Sequence, residues 1–458
     1  MARAKKEAAL TPEERLQAAL VPDWEWPYKL PENWCWTNWG ECGEFVAGSG
    51  FKSEYQGFTN YDIPFYKVSS LKTANETGYL CDNTNTVDET VRKKLKAALI
   101  PANSLLFAKI GEAIRLNRRA INTVPCCVDN NMMAFIPIIC QLKYAFYWSK
   151  GIDLYDFTNA TTVPAIRKTD LEKISFPLAP LAEQQRIVDR IESLFTKLDE
   201  AKEKAQAVVD SFETRKAAIL HKAFTGELTA KWREEHGVGM DSWRWIPLKK
   251  SGSWYGGGTP SMSRSEYWEN GTLLWVTAKD MKSDLIEDTL MHTNMFGVEN
   301  SSANYIAQPA VLFVMRSGIL RRTFPVCMVK KPFTVNQDIK ALVPTDNIDL
   351  EYLFWGCKAN EKRILESCMK NGTTVESINS AALRDFEIPI AGSNEQIEIV
   401  RILDAFFAKE QQTKEAAEAV LDQIDLMKKS ILARAFRGEL GTNDPNEESA
   451  VELLKQIF

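Results

Sequence analysis

The feature that most constrains this chain is a long helix-forming segment that occurs twice. Apolar residues recur alternately four and three positions apart between Leu181 and Phe224, which predicts one apolar stripe along an amphipathic helix. The first stripe comprises Ile187, Ile191, Leu194, Leu198, Ala201, Ala205, Val208 and Phe212. The second begins 212 positions later and comprises Ile399, Leu403, Phe406, Glu410, Thr413, Ala417, Val420 and Ile424. Two copies indicate a tandem duplication, with one long helix closing each half.

The residues that flank the two helices also repeat. The motifs before and after the first stripe are Glu183-Gln184 and Gly226-Glu227-Leu228. Their counterparts in the second half are Glu395-Gln396 and Gly438-Glu439-Leu440. Matching borders on both sides indicate that the whole helical segment was duplicated, together with the domain that precedes it.

The length of these helices bears on how they pack. From Leu181 to Phe224 the first helix would extend about 65 Å. An isolated helix of this length cannot bury its stripe, so the two copies are predicted to pair as an antiparallel coiled coil that separates two globular domains. Parallel packing is the alternative, and it requires the intervening domain to return the chain along the rod. Glu410 and Thr413 weaken the second stripe and leave room for another partner or a local break.

The segments outside the helices predict mixed domains of short strands, turns and helices. The expected fold class is α+β, with two globular domains separated by two long antiparallel helices in a pseudo-twofold tandem repeat. The predicted parts are an N-terminal arm at 1–23, a first globular domain at 24–180, a central helical segment at 181–235, a second globular domain at 236–393, and a C-terminal helical segment with a tail at 394–458. The tryptophan-rich segments around Trp24–Trp39 and Trp243–Trp254 are predicted to pack in the domain cores.

Composition sets the broad class of protein. A chain of 458 residues is expected to form two to four domains, and 45% apolar with 26% charged residues is ordinary for a globular protein. We find no signal peptide and no apolar run long enough to span a membrane. The nine cysteines form no C-x-x-C pair, which favours a reduced, cytoplasmic protein and predicts that Cys126 and Cys127 are buried rather than reactive.

Charge is unevenly distributed along the chain. The net charge of −5 does not itself indicate nucleic-acid binding. From Arg92 to Arg119, however, there are eight Lys or Arg residues and one acid, and from Arg316 to Lys331 there are five and no acid. A run of charge is usually a solvated face, but the occurrence of two basic runs at matching places in a repeat weakens that interpretation.

Motifs for catalysis are missing. The three histidines, His221, His236 and His292, do not have the spacing of metal ligands. No phosphate-binding loop of the G-x-x-x-x-G-K-[ST] type is present, and the glycines before Thr259 lack the strand–loop–helix context of a nucleotide site. No amino-methyltransferase motif or nuclease carboxylate cluster is evident. These observations favour a binding protein over an enzyme.

The whole chain resembles the specificity subunit of type I restriction-modification systems over about residues 24–440. The segments that carry the resemblance are Gly-Gly-Thr-Pro-Ser at 257–261 with Glu-Tyr-Trp at 266–268, Leu-Leu-Phe-Ala-Lys-Ile-Gly at 105–111, Thr-Thr-Val followed by Ile at 161–166 and 373–378, Pro-Leu-Ala-Pro-Leu-Ala-Glu-Gln-Gln-Arg-Ile-Val at 177–188, and the helix ends Ala-Phe-Thr-Gly-Glu-Leu and Ala-Phe-Arg-Gly-Glu-Leu. Each is weak alone, but their order and duplication are specific.

The resemblance implies a DNA-binding subunit without catalysis of its own. In this family each target-recognition domain reads one half of a split, asymmetric sequence in double-stranded DNA. The helical spacer sets the number of unread base pairs and docks two methyltransferase (modification) subunits, and motor-nuclease (restriction) subunits join the complex. S-adenosylmethionine, ATP and Mg are therefore expected on the partner subunits, with no cofactor in this chain.

Candidate DNA contacts are chosen from the basic runs and from the polar loops near the start of each domain, since Lys and Arg contact phosphates and polar side chains read base edges. In the first domain they are Ser49, Lys52, Tyr55, Lys109, Arg115, Arg118 and Arg119. In the second domain they are Thr259, Ser261, Ser263, Arg264, Arg316, Arg321 and Arg322. The chain departs from the family pattern at Gly48–Lys52, which replaces a Gly-Thr-Pro. It also departs at Arg115–Arg119 and Arg321-Arg322, where the family often has small residues, and these arginines are therefore expected to serve this protein's own target.

Two other classes of function remain as hypotheses. A coiled-coil scaffold that joins partner proteins without touching DNA is disfavoured by the two basic runs. An enzyme that acts directly on nucleic acid is disfavoured by the missing metal and cofactor motifs. Salt dependence separates a DNA reader from a scaffold, because only the former loses affinity in proportion to the phosphates it neutralises.

Overall fold

The protein is described by a computed structural model that covers residues 11–75, 77–159, 163–370 and 375–458. Two compact units are present. Unit 1 contains the residues up to Ala205 together with Ala419–Phe458, and unit 2 contains Gln206–Glu418. Each unit therefore combines one globular α+β domain with parts of both long helical segments.

Short strands and helices alternate along both domains. The strands are β1 (Cys35–Asn38), β2 (Gly43–Ala47), β3 (Ile63–Tyr66), β4 (Thr86–Val87), β5 (Leu105–Ala108), β6 (Arg119–Ile121), β7 (Cys127–Val128), β8 (Met132–Pro137), β9 (Ser175–Leu178), β10 (Arg244–Pro247), β11 (Gly252–Gly256), β12 (Leu273–Val276), β13 (His292–Thr293), β14 (Ala310–Val314), β15 (Val326–Val329), β16 (Phe333–Val335), β17 (Ile339–Pro344) and β18 (Glu387–Ile390). The helices are α1 (Pro12–Ala19), α2 (Glu89–Lys94), α3 (Leu142–Gly151), α4 (Lys168–Glu172), α5 (Leu181–Asp210), α6 (Phe212–Thr225), α7 (Ala230–His236), α8 (Met295–Glu299), α9 (Leu350–Ala359), α10 (Glu361–Cys368), α11 (Ser380–Asp385), α12 (Ser393–Ala435) and α13 (Val451–Lys455).

The two domains have the same sheet topology. Unit 1 contains a β1-β9 pair, a four-stranded sheet in the order β2-β8-β5-β6 and a three-stranded sheet in the order β4-β3-β7. Unit 2 repeats these as β10-β18, β11-β17-β14-β15 and β13-β12-β16. In each three-stranded sheet one pairing is parallel, β3 with β7 and β12 with β16. The prediction of a duplicated α+β fold is confirmed.

Aromatic side chains fill the two cores. In unit 1 Trp39 packs against Phe45, Phe135 and Trp148, with ring centroids 4.8–5.1 Å apart. The prediction that the tryptophans lie in the cores holds for Trp34, Trp36 and Trp39 but is wrong for Trp24, Trp26 and Trp245, which are 84%, 40% and 57% exposed. Trp24 and Trp26 precede the first strand. Trp36 is covered by Tyr28, with ring centroids 4.9 Å apart, whereas Trp245 at the matching place in β10 is left exposed. Cys126 and Cys127 are buried free thiols, as predicted.

The first long helix is interrupted, whereas the second is continuous. α5 ends at Asp210 and α6 begins at Phe212, so the predicted unbroken helix to Phe224 is wrong at Ser211. The Ser211 hydroxyl lies within hydrogen-bonding distance of the carbonyls of Ala207 and Val208 and donates to them. Such side-chain bonds compete with the backbone hydrogen bonds of the helix and often bend it. α12 runs without a break for 43 residues, including the predicted weak point at Glu410 and Thr413.

Within each unit the two helical segments run antiparallel, as predicted. In unit 1 ion pairs join Asp199 to Lys428 and Lys202 to Asp425. The residue numbers increase along α5 while those of their partners decrease along α12, which shows that the helices are antiparallel. In unit 2 Arg215 of α6 pairs with Glu410 of α12 at 2.7 Å.

The predicted stripe on α12 is displaced by one residue in part of its length. Thr413 and Val420 are exposed, while the neighbouring Lys414 and Leu421 are half-buried. Lys414 places its ammonium 5.0 Å from the Phe212 ring centroid. Charged side chains therefore replace apolar ones where α12 faces α6.

The C-terminal segment completes unit 1. Trp34 donates from its indole nitrogen to Asn443 at 3.2 Å, and the guanidinium of Arg186 makes two hydrogen bonds of 2.7 and 2.8 Å to Glu447. Ala450 and Leu454 are fully buried in the unit 1 core. Unit 1 is thus built from the two ends of the sequence, whereas unit 2 is one continuous stretch.

Candidate nucleic-acid interface

One turn is built identically in both domains, and the candidate DNA contacts lie around it. In unit 1 it joins β7 to β8, and in unit 2 it joins β16 to β17. The Asp129 carboxylate accepts from the Asn131 amide at 3.0 Å, and the Asn336 side chain accepts from the Asp338 amide at 3.1 Å. These are Asx turns, in which a side chain replaces a backbone partner. The tips of the two turns are Asn130 and Gln337, and both residues are exposed.

A glycine lets a neighbouring loop approach each turn closely. A Cβ atom on Gly48 would lie 1.9 Å from the carbonyl oxygen of Asp129, and one on Gly257 would lie 1.7 Å from that of Val335. No side chain fits at either distance. The glycine-rich segments noted in the sequence therefore serve to bring the loops 47–56 and 256–264 against the turns, where Ser49 and Thr259 lie.

In unit 2 the loop, the turn and the end of β14 form one polar cluster. The Thr259 hydroxyl donates to the Gln337 side-chain oxygen at 2.7 Å. Arg316 donates from Nε to the Asp338 carboxylate at 2.8 Å, and its side chain is 56% exposed. The cluster thus brings together Thr259 and Arg316, two of the predicted contacts, on either side of an exposed amide.

This cluster borders a concave surface, here named the turn groove, with a volume of about 610 Å³. Its polar lining residues are Arg316, Gln337, Asp338, Lys340, Lys370, Ser377 and Ser380. Three cations face a single carboxylate, which is already paired with Arg316. The groove has the charge and the donors that a phosphate backbone requires.

The remaining candidates of unit 2 lie in two places. Ser261 and Ser263 are exposed and hydrogen-bond to each other at 2.9 Å, and Arg264 donates to the Tyr267 hydroxyl at 2.8 Å. All three belong to the loop that follows Thr259. Arg321 forms an ion pair with Glu376, while its neighbour Arg322 lines a different cavity beside α6, together with Lys216 and Lys358. The two adjacent arginines therefore do not act on one surface.

Unit 1 places its early-loop candidates beside the equivalent turn. The Ser49 amide donates to the Val128 carbonyl at 3.0 Å, and the Lys109 amide donates to the Asn131 carbonyl at 2.8 Å. Partial burial lowers the pKa of the Lys109 ammonium, and the nearby Asp129 carboxylate opposes that shift. Lys52 is exposed in the same loop, and Tyr55 is half-buried with the Lys94 ammonium 5.4 Å from its ring centroid.

The three arginines that follow β5, the last of which begins β6, differ in their exposure. Arg115 pairs with Glu112 at 2.9 Å and stacks on Tyr155, whereas Arg118 is exposed. Arg119 is 5% exposed, and its guanidinium donates to the Asn117 side chain at 2.7 Å and to the Ser149 carbonyl at 3.1 Å. Arg119 is therefore buried in the domain core, and its contact with DNA stays a prediction.

Sequence reasoning passed over the turn amides Asn130 and Gln337 and the groove lysines Lys340 and Lys370. The signal was present, since Val128–Asn131 and Val335–Asp338 occupy matching places in the repeat, but exposed amides are common and the repeat alone does not distinguish them. The threonines of the Thr-Thr-Val motifs, at 161–162 and 373–374, lie outside the described residues.

Other kinds of site are not found in the described ranges. No group of three or more His, Cys, Asp or Glu side chains there is placed to hold a metal ion. None of the helices in those ranges has both the length and the apolar character needed to cross a membrane.

The two matched α+β domains each carry an exposed amide with nearby cations at the same turn, an arrangement compatible with nucleic-acid recognition. The family model for the type I restriction modification DNA specificity domain matches residues 31–209 and again 255–421. The chain therefore belongs to the type I restriction-modification DNA specificity family, as the sequence motifs suggested.

Individual relatives agree with this assignment. The chain is 37% identical to the EcoR124I/EcoR124II specificity subunit of Escherichia coli over 185 residues, which span 40% of this chain and 45% of that protein. It is 24% identical to the EcoDI specificity subunit of Escherichia coli over 70% of this chain and 77% of the relative. The HsdS subunit from Thermoanaerobacter tengcongensis has the same fold, with a TM-score of 0.63 at 18% identity over 91% of this chain and all of that one.

Proposed function

We propose that this chain recognises a bipartite, asymmetric sequence in double-stranded DNA and directs the methyltransferase and restriction subunits of a type I restriction-modification complex to it. Each globular domain reads one half of the target. The long helices provide the surface on which two methyltransferase subunits dock. The motor-nuclease subunits join the complex that results.

One observation carries this proposal above all. The same Asx turn is built twice, with the same backbone hydrogen bonds, but its side chains differ. The turn of unit 1 reads Asp129-Asn130-Asn131, and that of unit 2 reads Asn336-Gln337-Asp338. A repeated frame with different polar groups is suited to read two unlike sequences, because the base is chosen by side-chain donors and acceptors.

The chain itself performs no chemical step in this proposal. Its relatives of known name are specificity subunits, and its described residues contain no metal cluster. S-adenosylmethionine, ATP and Mg are bound by the partner subunits. The complex works where the cell's DNA is, so we place it in the cytoplasm.

The proposal is tested by methylome sequencing of a host that carries this chain with its partner methyltransferase, compared with a host that lacks only this chain. The expected result is a new methylated motif with two short unlike halves separated by unread base pairs. Absence of a new motif, with the methyltransferase shown to be present, would overturn the proposal and favour a protein scaffold.

A binding experiment adds an independent readout. The purified complex is titrated onto duplex DNA that contains the motif, at several salt concentrations. The logarithm of the affinity is expected to fall linearly with the logarithm of salt, with a slope set by the number of phosphates contacted. A flat dependence would contradict contact with the DNA backbone.

A further inference from the structure

We propose that Gln337 reads an adenine in the half-site recognised by unit 2, and that Thr259 fixes the orientation of its amide. This inference rests on the proposed function and names the base that one side chain recognises. It starts from the turn between β16 and β17, where Gln337 is the exposed tip and its neighbours Asn336 and Asp338 hold the backbone.

The exposed side chain of Gln337 is held in one orientation. The Thr259 hydroxyl donates to Oε1 of Gln337 at 2.7 Å, so one lone pair of that oxygen is occupied and the amide is held. Ordering a glutamine side chain on the surface costs conformational entropy. Such ordering is useful where the amide must meet a partner in one orientation.

The amide of Gln337 retains donors and an acceptor that are not used by Thr259. With Oε1 oriented by Thr259, Gln337 offers an acceptor lone pair on Oε1 and both N–H donors on Nε2. Adenine presents a donor at N6 and an acceptor at N7 in the major groove, which this pair matches. Guanine presents two acceptors there, so its O6 would face Oε1 without a proton between them. The amide as held therefore favours adenine over guanine.

The surroundings of Gln337 also favour a contact with DNA. Gln337 lines the turn groove together with Lys340 and Lys370, whose ammonium groups are suited to contact phosphates near the base that it reads. Arg316 is a less suitable base reader, because its Nε already donates to Asp338 at 2.8 Å. Cations that position the backbone around one neutral amide that selects the base are the usual division of labour in DNA recognition.

Unit 1 has a residue equivalent to Gln337 at the matching turn. Asn130 occupies the tip of the matching turn and is exposed, and within the described part of the chain no hydrogen bond engages its side chain. Thr259 has no counterpart there, since the first loop carries Gly50 after Gly48-Ser49. Asn130 thus provides a matched control in the same protein, at the same turn, acting on the other half-site.

The test uses the complex of the full chain with its methyltransferase, selecting from a library of randomised duplex DNA whose bound fraction is sequenced. Gln337→Ala is expected to lower the preference for adenine at one position of one half-site by about 5- to 150-fold, the range for losing a bidentate pair. Gln337→Glu is expected to move the preference at that position towards cytosine, because a carboxylate accepts from cytosine N4. Thr259→Val keeps the glutamine and is expected to give an intermediate loss.

Controls keep the outcome unambiguous. Asn130→Ala is expected to change the other half-site and leave the position read by Gln337 unaltered. Thermal unfolding of each variant shows whether the turn still folds, and Gln337 is exposed, so its substitutions should leave the midpoint unchanged. If the wild-type complex selects a split motif and all Gln337 variants select the same one, the inference is overturned while the proposed function stands. A wild-type complex with no base preference would overturn both.

Discussion

The hydroxyl of Thr442 donates a hydrogen bond of 2.7 Å to the buried carboxylate of Glu183. In unit 2 Thr229 makes the equivalent bond to Glu395 at 2.6 Å. Each acid opens one long helical segment, and each threonine follows the end of the other. In each unit, therefore, the motif after the end of one long helical segment contacts the motif at the start of the other, and the end of one repeat stabilises the beginning of the other.

The buried acid of unit 2 predicts a large effect of one arginine. Arg233 donates to Glu395 at 2.6 Å, and the two side chains are only 10% and 1% exposed. Arg233→Ala leaves that carboxylate without its cation and should lower the free energy of unfolding by about 3 kcal/mol. Lys231→Ala on the same helix removes the ion pair with Glu235, whose members are 88% and 57% exposed. This change should alter the free energy of unfolding by less than about 0.5 kcal/mol. Urea unfolding measures both, and equal effects would contradict the prediction.

The attachment of the C-terminal segment to unit 1 should weaken at alkaline pH. Burial raises the pKa of Tyr28 from 10.0 to about 12, and its hydroxyl donates to the Phe436 carbonyl at 3.1 Å. A raised pKa means that the folded state holds the proton more tightly, so this stabilisation is complete below pH 10 and is lost as the pH rises towards 12.

The variant Tyr28→Phe isolates that contribution from other titrating groups. It should cost about 1 kcal/mol at neutral pH through the lost hydrogen bond. The difference in unfolding free energy between wild type and variant should shrink as the pH rises above 10. A difference that stays constant over this range would exclude Tyr28 as the responsible group.

Gly257 is expected to tolerate no side chain. Its added Cβ would meet the Val335 carbonyl oxygen at 1.7 Å, whereas Gly318, also near the candidate interface, has nothing within 4 Å of such an atom. Gly257→Ala should destabilise unit 2 by about 1–3 kcal/mol and weaken DNA binding, and Gly318→Ala should do neither. Denaturant unfolding and a DNA titration are the two measurements. A harmless Gly257→Ala would mean that the loop does not need its close approach to the turn.

Arg321 and Glu376 predict opposite effects on DNA binding. Arg321 is 69% exposed, and its ion pair lowers the pKa of Glu376, so the carboxylate stays charged at neutral pH. Glu376→Gln removes a negative charge and frees the guanidinium, so it should strengthen binding at low salt. Arg321→Ala should reduce the slope of log affinity against log salt by about one if the side chain contacts a phosphate. Should it read a base instead, only one half-site will be relaxed, and equal losses at both half-sites, or none, would contradict a base-reading role.

The ion pair between α6 and α12 is expected to contribute measurably. Arg215 and Glu410 are 33% and 17% exposed and lie 2.7 Å apart, whereas Lys202 and Asp425 are 48% and 70% exposed at 3.8 Å. A double-mutant cycle should give a coupling free energy of about 1 kcal/mol for the first pair and close to zero for the second. Similar coupling for the two pairs would show that burial does not decide their strength.

The repeat allowed much of the fold to be predicted, because helical periodicity and paired motifs are local properties of the sequence. In the first stripe Ile187, Ile191 and Ala205 are buried as expected, and the other members are half-buried. The interruption at Ser211 was missed, since a serine within a helix usually remains helical and only its bonds to Ala207 and Val208 set it apart. The parallel pairing of β3 with β7 could not be predicted, because strands of two to four residues carry no information about their partners.

The candidate site was predictable by region but not by residue. Loops rich in glycine and cations do surround the turns, because glycine is needed where backbones approach each other and cations are expected where an anion would bind. Whether a given cation faces outward depends on distant partners. Arg119 turns inward because Ser149 supplies a carbonyl from another element, whereas Arg118, one residue earlier, stays exposed.

The discontinuous construction of unit 1 has a consequence for the order of events on the ribosome. Domains generally fold from the N-terminus onwards as the chain is made. Here Gln206–Glu418 can assemble as soon as it has emerged, although it is synthesised second. The first domain must wait with its surface around Tyr144 uncovered until Phe436, whose ring lies 5.1 Å away, has been translated. The half that is made first is therefore the half that is finished last, and it is the one exposed to chaperones and proteases in the interval.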